Sequence, residues 1–279
     1  MNISILGCGW LGYPLAVQLI GENHRVMGST TSPEKLGSLR NKGIEPLLLE
    51  VTREGIRPDQ EVEFWNCDLL VLNIPPGRRK GDVLQRHPGE VESVIRKVRE
   101  HKIPWVIFVS STSVYSNRDG EVSEEDARES SASSESGKAL LACESMLMKD
   151  TTFDTTVLRF GGLYGGSRHP VRYLAKRNNP GNGEKPVNLI HQSDAVGVIV
   201  EVIRQGVKGK ILNAVSDEHP TRREFYTSAA EQYGLEKPQF QEETGPVENK
   251  VVSNRKLKEL LSYTFHYPDP LKHPDTLSD

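Results

Sequence analysis

Asn2-Ile3-Ser4-Ile5-Leu6-Gly7-Cys8-Gly9-Trp10-Leu11-Gly12 decides the reading of this chain. A short apolar run halts at a G-x-G-x-x-G, and Leu11, Leu15 and Leu19 then follow at helical spacing, which predicts strand, tight turn and helix in that order. Gly7 permits the sharp turn, Gly9 has no Cβ to block a pyrophosphate, and Gly12 lets the helix lie close to the strand. The helix N-terminus presents unpaired amides to phosphate, and Pro14 falls in the first turn, where its missing N–H costs little. A glycine-rich turn without a ligand is the plain alternative. The position between strand and helix favours a dinucleotide fingerprint, with Gly7, Gly9, Trp10, Leu11 and Gly12 as cofactor-binding residues.

Residues 25–28 read as the second strand, running into Ser29-Thr30-Thr31-Ser32. An acidic residue there would bond the adenosine ribose hydroxyls and repel a 2′-phosphate, and none is present. Hydroxyls from Ser29, Thr30 and Thr31, with Lys35 and Arg40 nearby, favour NADP while still accommodating NAD. Ser32 before Pro33 also suits a helix N-cap. Residues 46–49 predict a third strand and 68–74 a fourth, whose unbroken apolar run implies burial on both faces. At its end Ile74, Pro75 and Pro76 are expected to line the adenosine-phosphate side of the groove, and Arg78-Arg79-Lys80 reads as a solvated loop.

Helical spacing over 88–101 leads to strand five at 105–109, which ends in Ser110-Ser111-Thr112-Ser113-Val114-Tyr115. Hydroxyls at the carboxyl end of a central strand sit where substrate meets the nicotinamide, which places Ser110 beside the cofactor and Thr112 towards substrate. The acidic, serine-rich 119–136 reads as a surface loop, 137–148 as a helix and 155–160 as strand six. Beyond them, 187–190 is a short strand, 193–204 a helix and 210–215 the last strand of the large sheet. Helices at 221–233 and 254–261 flank an extended 251–252.

Composition narrows the class. A chain of 279 residues accommodates one large α/β domain or a nucleotide domain with a small second lobe, and 36% hydrophobic residues supply its core. A formal charge of −3 argues against a dedicated nucleic-acid binder. Cys8, Cys67 and Cys143 lack C-x-x-C spacing, which fits a reducing compartment, and the eight histidines show no metal-ligand spacing. A strand at Met1 leaves no room for a cleavable signal, and no apolar run reaches the roughly 18 residues a membrane span needs, so a soluble, cytoplasmic protein without membrane partners is expected.

Taken in order, these motifs resemble the extended and atypical short-chain dehydrogenase/reductase proteins, the nucleoside-diphosphate-sugar epimerases and dehydratases, and within them the bacterial YeeZ group. The resemblance rests on Gly7 to Gly12, the Ser110 to Tyr115 strand end, Leu158-Arg159-Phe160 through Tyr164-Gly165, Asn188-Leu189-Ile190-His191 with Asp194, and Asn254-Arg255-Lys256-Leu257. It implies an α/β fold: a doubly wound Rossmann sheet over 1–165, completed by about 187–216, with a small C-terminal substrate lobe from 166–186 and 217–279. It also implies a small-molecule substrate, a sugar nucleotide in class. Two departures stand out. The family's glycine turn is one residue longer, and its catalytic Tyr-x-x-x-Lys is incomplete: Ser111 matches the family's Ser and Lys138 its Lys, but the tyrosine position falls on Ser134.

That substitution is chemical. In the family the tyrosine transfers the substrate hydroxyl proton, its pKa of about 10 lowered by lysine and cofactor, whereas a serine hydroxyl does not ionise near neutrality. Ser111 can still bond a substrate oxygen and Lys138 can still hold the nicotinamide ribose, which makes them the candidate catalytic pair. Tyr115, Tyr164, His169 and His191 are alternative proton carriers, each with a packed or loop role as the plainer reading. Arg168 and His169 fall where family members contact substrate. The resulting expectation is an NAD(P)-dependent oxidoreductase or epimerase acting on a hydroxyl or carbonyl carbon; its rival is a non-catalytic NAD(P)-binding redox sensor or scaffold.

Overall fold

The computed structural model describes residues 1–59, 62–77, 81–128, 132, 134–166, 168–171, 182–240 and 249–272. Seven strands form its main sheet: β1 (Asn2–Leu6), β2 (Arg25–Thr30), β3 (Glu45–Leu48), β4 (Leu69–Leu72), β5 (Trp105–Ser111), β6 (Asp154–Phe160) and β7 (Ile211–Ala214). They lie in the order β7-β6-β5-β4-β1-β2-β3, and every ladder is parallel. The winding reverses between β1 and β4. A crevice therefore opens outside the carboxyl ends of those two strands, where open α/β sheets bind their ligands.

Helices cover both faces: α1 (Gly12–Gly21), α2 (Leu36–Arg40), α3 (Val83–Glu100), α4 (Glu135–Lys149), α5 (Gln192–Gln205), α6 (Arg222–Gln232) and α7 (Arg255–Leu261). Side chains of β4 alternate between the layers, Leu69 and Val71 meeting α1 and α5, Leu70 and Leu72 meeting α3 and α4. Leu11, Leu15 and Leu19 make one buried stripe of α1, as their spacing predicts. On α3 the stripe is Val91, Val94, Ile95 and Val98. Valine is a weak helix former, so burial at roughly 1.5–3 kcal/mol per side chain, rather than propensity, holds α3 in place.

Three local expectations are corrected. Helix α3 starts at Val83 instead of 88 and carries Pro88 in its interior, because Val83 and His87 extend its buried face across the proline. The 119–136 stretch is not simply a surface loop: Gly120–Val122 pairs in parallel with Lys250–Val252, and Ser123 and Asp126 form a capping box. Its pairing partner lies far along the chain, beyond the reach of local patterning. Within 187–216 only Ile211–Ala214 joins the large sheet, since Leu189–His191 pairs with Gly162–Tyr164 in a separate two-stranded sheet. The basic run 78–80 lies outside the described residues. Among those described, no helix is long and apolar enough to cross a membrane.

Candidate functional site

At the crevice, Gly7 adopts φ 101°, a conformation that L side chains rarely take, and its amide donates to Ser29 Oγ at 2.9 Å while its carbonyl accepts from Asn73 Nδ2 at 2.9 Å. A Cβ on Gly7 would collide with the Asn73 carbonyl, and one on Gly12 would stand 2.5 Å from the Gly7 carbonyl oxygen. Gly9 differs: a Cβ there would meet nothing within 4 Å. Two glycines are thus required by the protein's own packing, and the third borders open space above the first turn of α1. The first-turn amides of a helix have no partner within it, so this loop has the shape and the donors that a pyrophosphate requires. Cys8 inside the loop is buried, and that burial pushes its thiol up to about 12, which makes it a packing residue.

The structure divides the hydroxyls at the end of β2. Ser29 is buried and accepts the Gly7 amide, while Thr30 Oγ1 accepts from the Ser32 amide at 3.1 Å. Both hydroxyls hold the loop's own backbone amides. Thr31 is exposed, as are Lys35 and Arg40. Across the crevice Ile74, Pro75 and Pro76 follow β4, with Pro75 exposed and the other two half-buried. Arg86 of α3, a residue the sequence reading missed, fixes this segment by donating to the carbonyls of Pro76 and Gly77. Glu90 orients Arg86 at 2.6 Å and also meets His87 Nδ1 at 3.2 Å. Burial pushes the Glu90 carboxyl up, yet the His87 and Arg86 hydrogen bonds hold it below the usual range. An Arg and a Glu four apart, following Pro-Pro-Gly, was the available signal.

The end of β5 separates the serines. Ser110, expected beside the cofactor, donates instead to Glu144 Oε1 of α4 at 2.5 Å. Glu144 also holds Arg159 of β6 with Nη2 to Oε2 at 2.7 Å, and Arg159 Nη1 donates to Tyr115 Oη and the Glu124 carbonyl, both at 2.9 Å. Tyr115 donates in turn to Asn213 Oδ1 at 2.6 Å, and the Asn213 amide to Glu124 Oε1 at 2.7 Å. All of these side chains are buried, and burial pushes the Tyr115 hydroxyl up to about 12 despite Arg159 and Asn213. This network locks the layers together and withdraws Tyr115 as a proton carrier. Ser111 is half-buried and accepts the Ser113 amide at 3.2 Å, and Thr112, also half-buried, opens the 3₁₀ turn that follows.

Helix α4 shows why a tyrosine is missing. Ser134 is its N-cap, accepting the Gly137 amide at 3.1 Å, so the hydroxyl at the expected tyrosine position starts the helix. Lys138 is exposed. Glu144, Leu140 and Ser136 form the buried row at four-residue spacing, and Lys138 stands nearly half a turn away from it. The row that meets the sheet therefore holds neither Ser134 nor Lys138, the residues at the expected tyrosine and lysine positions. Gly137 is pressed against the Ser113 carbonyl, which brings this helix and the β5 end into direct contact.

Tyr164, His169 and His191 are buried together, with ring centroids 5.8 Å apart for Tyr164 and His169 and 5.2 Å for Tyr164 and His191. His169, expected at the substrate, stacks on Phe225 at 5.4 Å, and its Nδ1 accepts the Val171 amide. His191 Nδ1 accepts the Ser193 amide and caps α5. Asp194 follows it and is buried, accepting the His266 and Tyr267 amides at 2.8 and 2.9 Å and so tying the C-terminal segment to α5. Arg168 separates from its neighbour: it is exposed and lies over the Trp10 ring. No group of three potential metal ligands gathers among the described residues.

A switch-point crevice, this glycine-rich loop and this sheet order define an α/β Rossmann fold. No protein-family model matches the chain. It is 33% identical over 274 residues to protein YeeZ of Escherichia coli strain K12, covering 98% of both chains. The chain belongs to the YeeZ family. UDP-glucuronic acid 4-epimerase from Bacillus cereus, solved in complex with NAD, shares the fold with a TM-score of 0.79, at 17% identity over 97% of this chain and 96% of that one. MoeE5 in complex with UDP-glucose and NAD gives a TM-score of 0.77 at 19% identity, covering 95% and 94%. A conserved protein of unknown function from Silicibacter pomeroyi gives 0.77 at 23% identity, covering 97% and 95%.

Proposed function

We propose that this chain binds NAD or NADP in the β1/β4 crevice and acts as an oxidoreductase or epimerase on a hydroxyl or carbonyl carbon, with a sugar nucleotide as the substrate class. The observation that carries this reading is the contrast among the glycines of the loop, Gly7 and Gly12 crowded by the protein and Gly9 facing open space. The solved structures that share the fold include proteins bound to NAD and UDP-sugars. When bound, a nicotinamide supplies hydride acceptance and return. The chain's own part is to seat the diphosphate on the amides of Trp10, Leu11 and Gly12, and to present Ser111 to the reacting oxygen. Ser111 Oγ accepts one amide hydrogen and keeps its own O–H to donate, so it polarises oxygen without ionising. The proton lost from the substrate hydroxyl passes to solvent in this reading, because Ser134 is a helix cap and Tyr115 is buried.

For the nucleotide we propose NADP, supported by the absence of a carboxylate at residues 29–32 and by exposed Thr31, Lys35 and Arg40 beside that end of β2. The substrate lobe in this reading comprises 166–186 and 217–279, of which 167, 172–181, 241–248 and 273–279 lie outside the described residues. Titration with NADPH and NADH tests the core of the proposal, with NADPH binding tighter and Lys35→Ala narrowing that difference. Ser111→Ala should lower cofactor-dependent turnover of a UDP-sugar by about a hundredfold or more at unchanged cofactor affinity. No binding of either dinucleotide at about millimolar concentration overturns the proposal. Binding without turnover on any sugar nucleotide would instead point to a sensor or scaffold.

A further inference from the structure

Arg168 lies next to His169 in sequence, but its surroundings belong to the glycine-rich loop. Its guanidinium carbon is 5.3 Å from the centroid of the Trp10 ring, and Trp10 directly follows Gly9. Both partners are held. Gln192, the first residue of α5, donates Nε2 to the Trp10 carbonyl at 2.6 Å. On the other side Gly165 and Arg168 exchange backbone hydrogen bonds of 3.0 and 3.1 Å, and the buried His169 anchors the segment immediately after. Only the Arg168 side chain is left at the surface, and it forms no ion pair with a carboxylate among the described residues. A guanidinium held over an indole ring keeps N–H donors for acceptors such as phosphate oxygens.

We infer that Arg168 binds a diphosphate oxygen of the dinucleotide, with Trp10 as its platform, so that the Arg168 side chain clamps the cofactor across the glycine-rich loop. This rests on the dinucleotide binding proposed above and adds to it a cation that the loop lacks. The diphosphate of a sugar nucleotide has the same chemistry; contact with Trp10 assigns the residue to the cofactor.

The test is titration of the full chain with NADH, NADPH and, separately, UDP-glucose, read by calorimetry and by tryptophan fluorescence. Losing a charge-assisted contact predicts about tenfold to a hundredfold weaker dinucleotide binding for Arg168→Ala, and a flatter salt dependence. Arg168→Lys, which keeps charge without the planar stack, should fall between that variant and the parent. UDP-glucose affinity should stay unchanged in both. Arg168 is exposed, so the melting temperature of the unliganded variants should match the parent and separate this role from a folding defect. Dinucleotide affinity unaffected by Arg168→Ala, or a loss confined to UDP-glucose, overturns the clamp and leaves the dinucleotide site standing. A parent protein that binds neither dinucleotide overturns both.

Discussion

The glycine-rich loop after β1 and the sheet-facing row of α4, which meets β5 and β6, use their polar groups differently. Around Gly7 the turn is fixed by a left-handed φ, an amide tied to the Ser29 hydroxyl and a carbonyl tied to the Asn73 side chain, with open space at Gly9. Along Ser136, Leu140 and Glu144 no group is placed to carry a proton, and the charged residue of the row is consumed by Ser110 and Arg159. The difference teaches that binding and chemistry are separable in this fold. Seating a diphosphate depends on backbone geometry, whereas proton transfer depends on individual side chains that one helix start can redirect.

Removing the charge on the α4 side should have the largest effect. Glu144→Ala leaves Arg159 buried without its carboxylate partner, and a loss of about 3–5 kcal/mol is expected in denaturant unfolding. A loss under about 1 kcal/mol would show that the network is not what joins β5, β6 and α4. Smaller, and more pointed for the comparison, is Ser134→Ala. As an N-cap it should cost about 1 kcal/mol of stability and leave both dinucleotide affinity and turnover unchanged. If turnover collapses with stability intact, the cap is instead a working part of the site.

The smallest effect lies on the acid side and belongs to neither region. Burial lowers the His219 pKa from 6.5, outweighing the Val187 carbonyl and nearby carboxylates, so the unfolded chain binds the proton more readily than the folded one. Stability from this group is full above pH 6.5 and is lost as pH falls from there towards the folded value. His219→Asn should flatten the stability profile in that window, while dinucleotide affinity stays as in the parent. An unchanged slope would show that His219 does not contribute.

Much of the fold was legible because its signals are local. The strand, glycine turn and helix at residues 2–21, the alternation within β4 and the stripe of α1 are each set by neighbours a few positions apart. Helix α3 was not legible at its start, since the benefit of burying Val83 and His87 ahead of Pro88 exists only when the sheet is there to pack against. The site followed the same division. Its serine-rich strand end was visible, but Ser110, Ser111 and Ser134 look alike as hydroxyls until Glu144, Ser113 and Gly137 are brought beside them. His169 and Arg168 are adjacent in sequence, yet one is buried on Phe225 and the other lies over Trp10.

By itself, then, the sequence determined the Rossmann order of elements and the loop built for a diphosphate, because backbone conformation and periodic burial are imposed by consecutive residues. Only the tertiary structure decided which polar side chains remain for a ligand. A hydroxyl, carboxylate or histidine is committed by whichever partner the fold delivers, and the decisive ones, Glu144 for Ser110 and Phe225 for His169, come from elements remote in the chain.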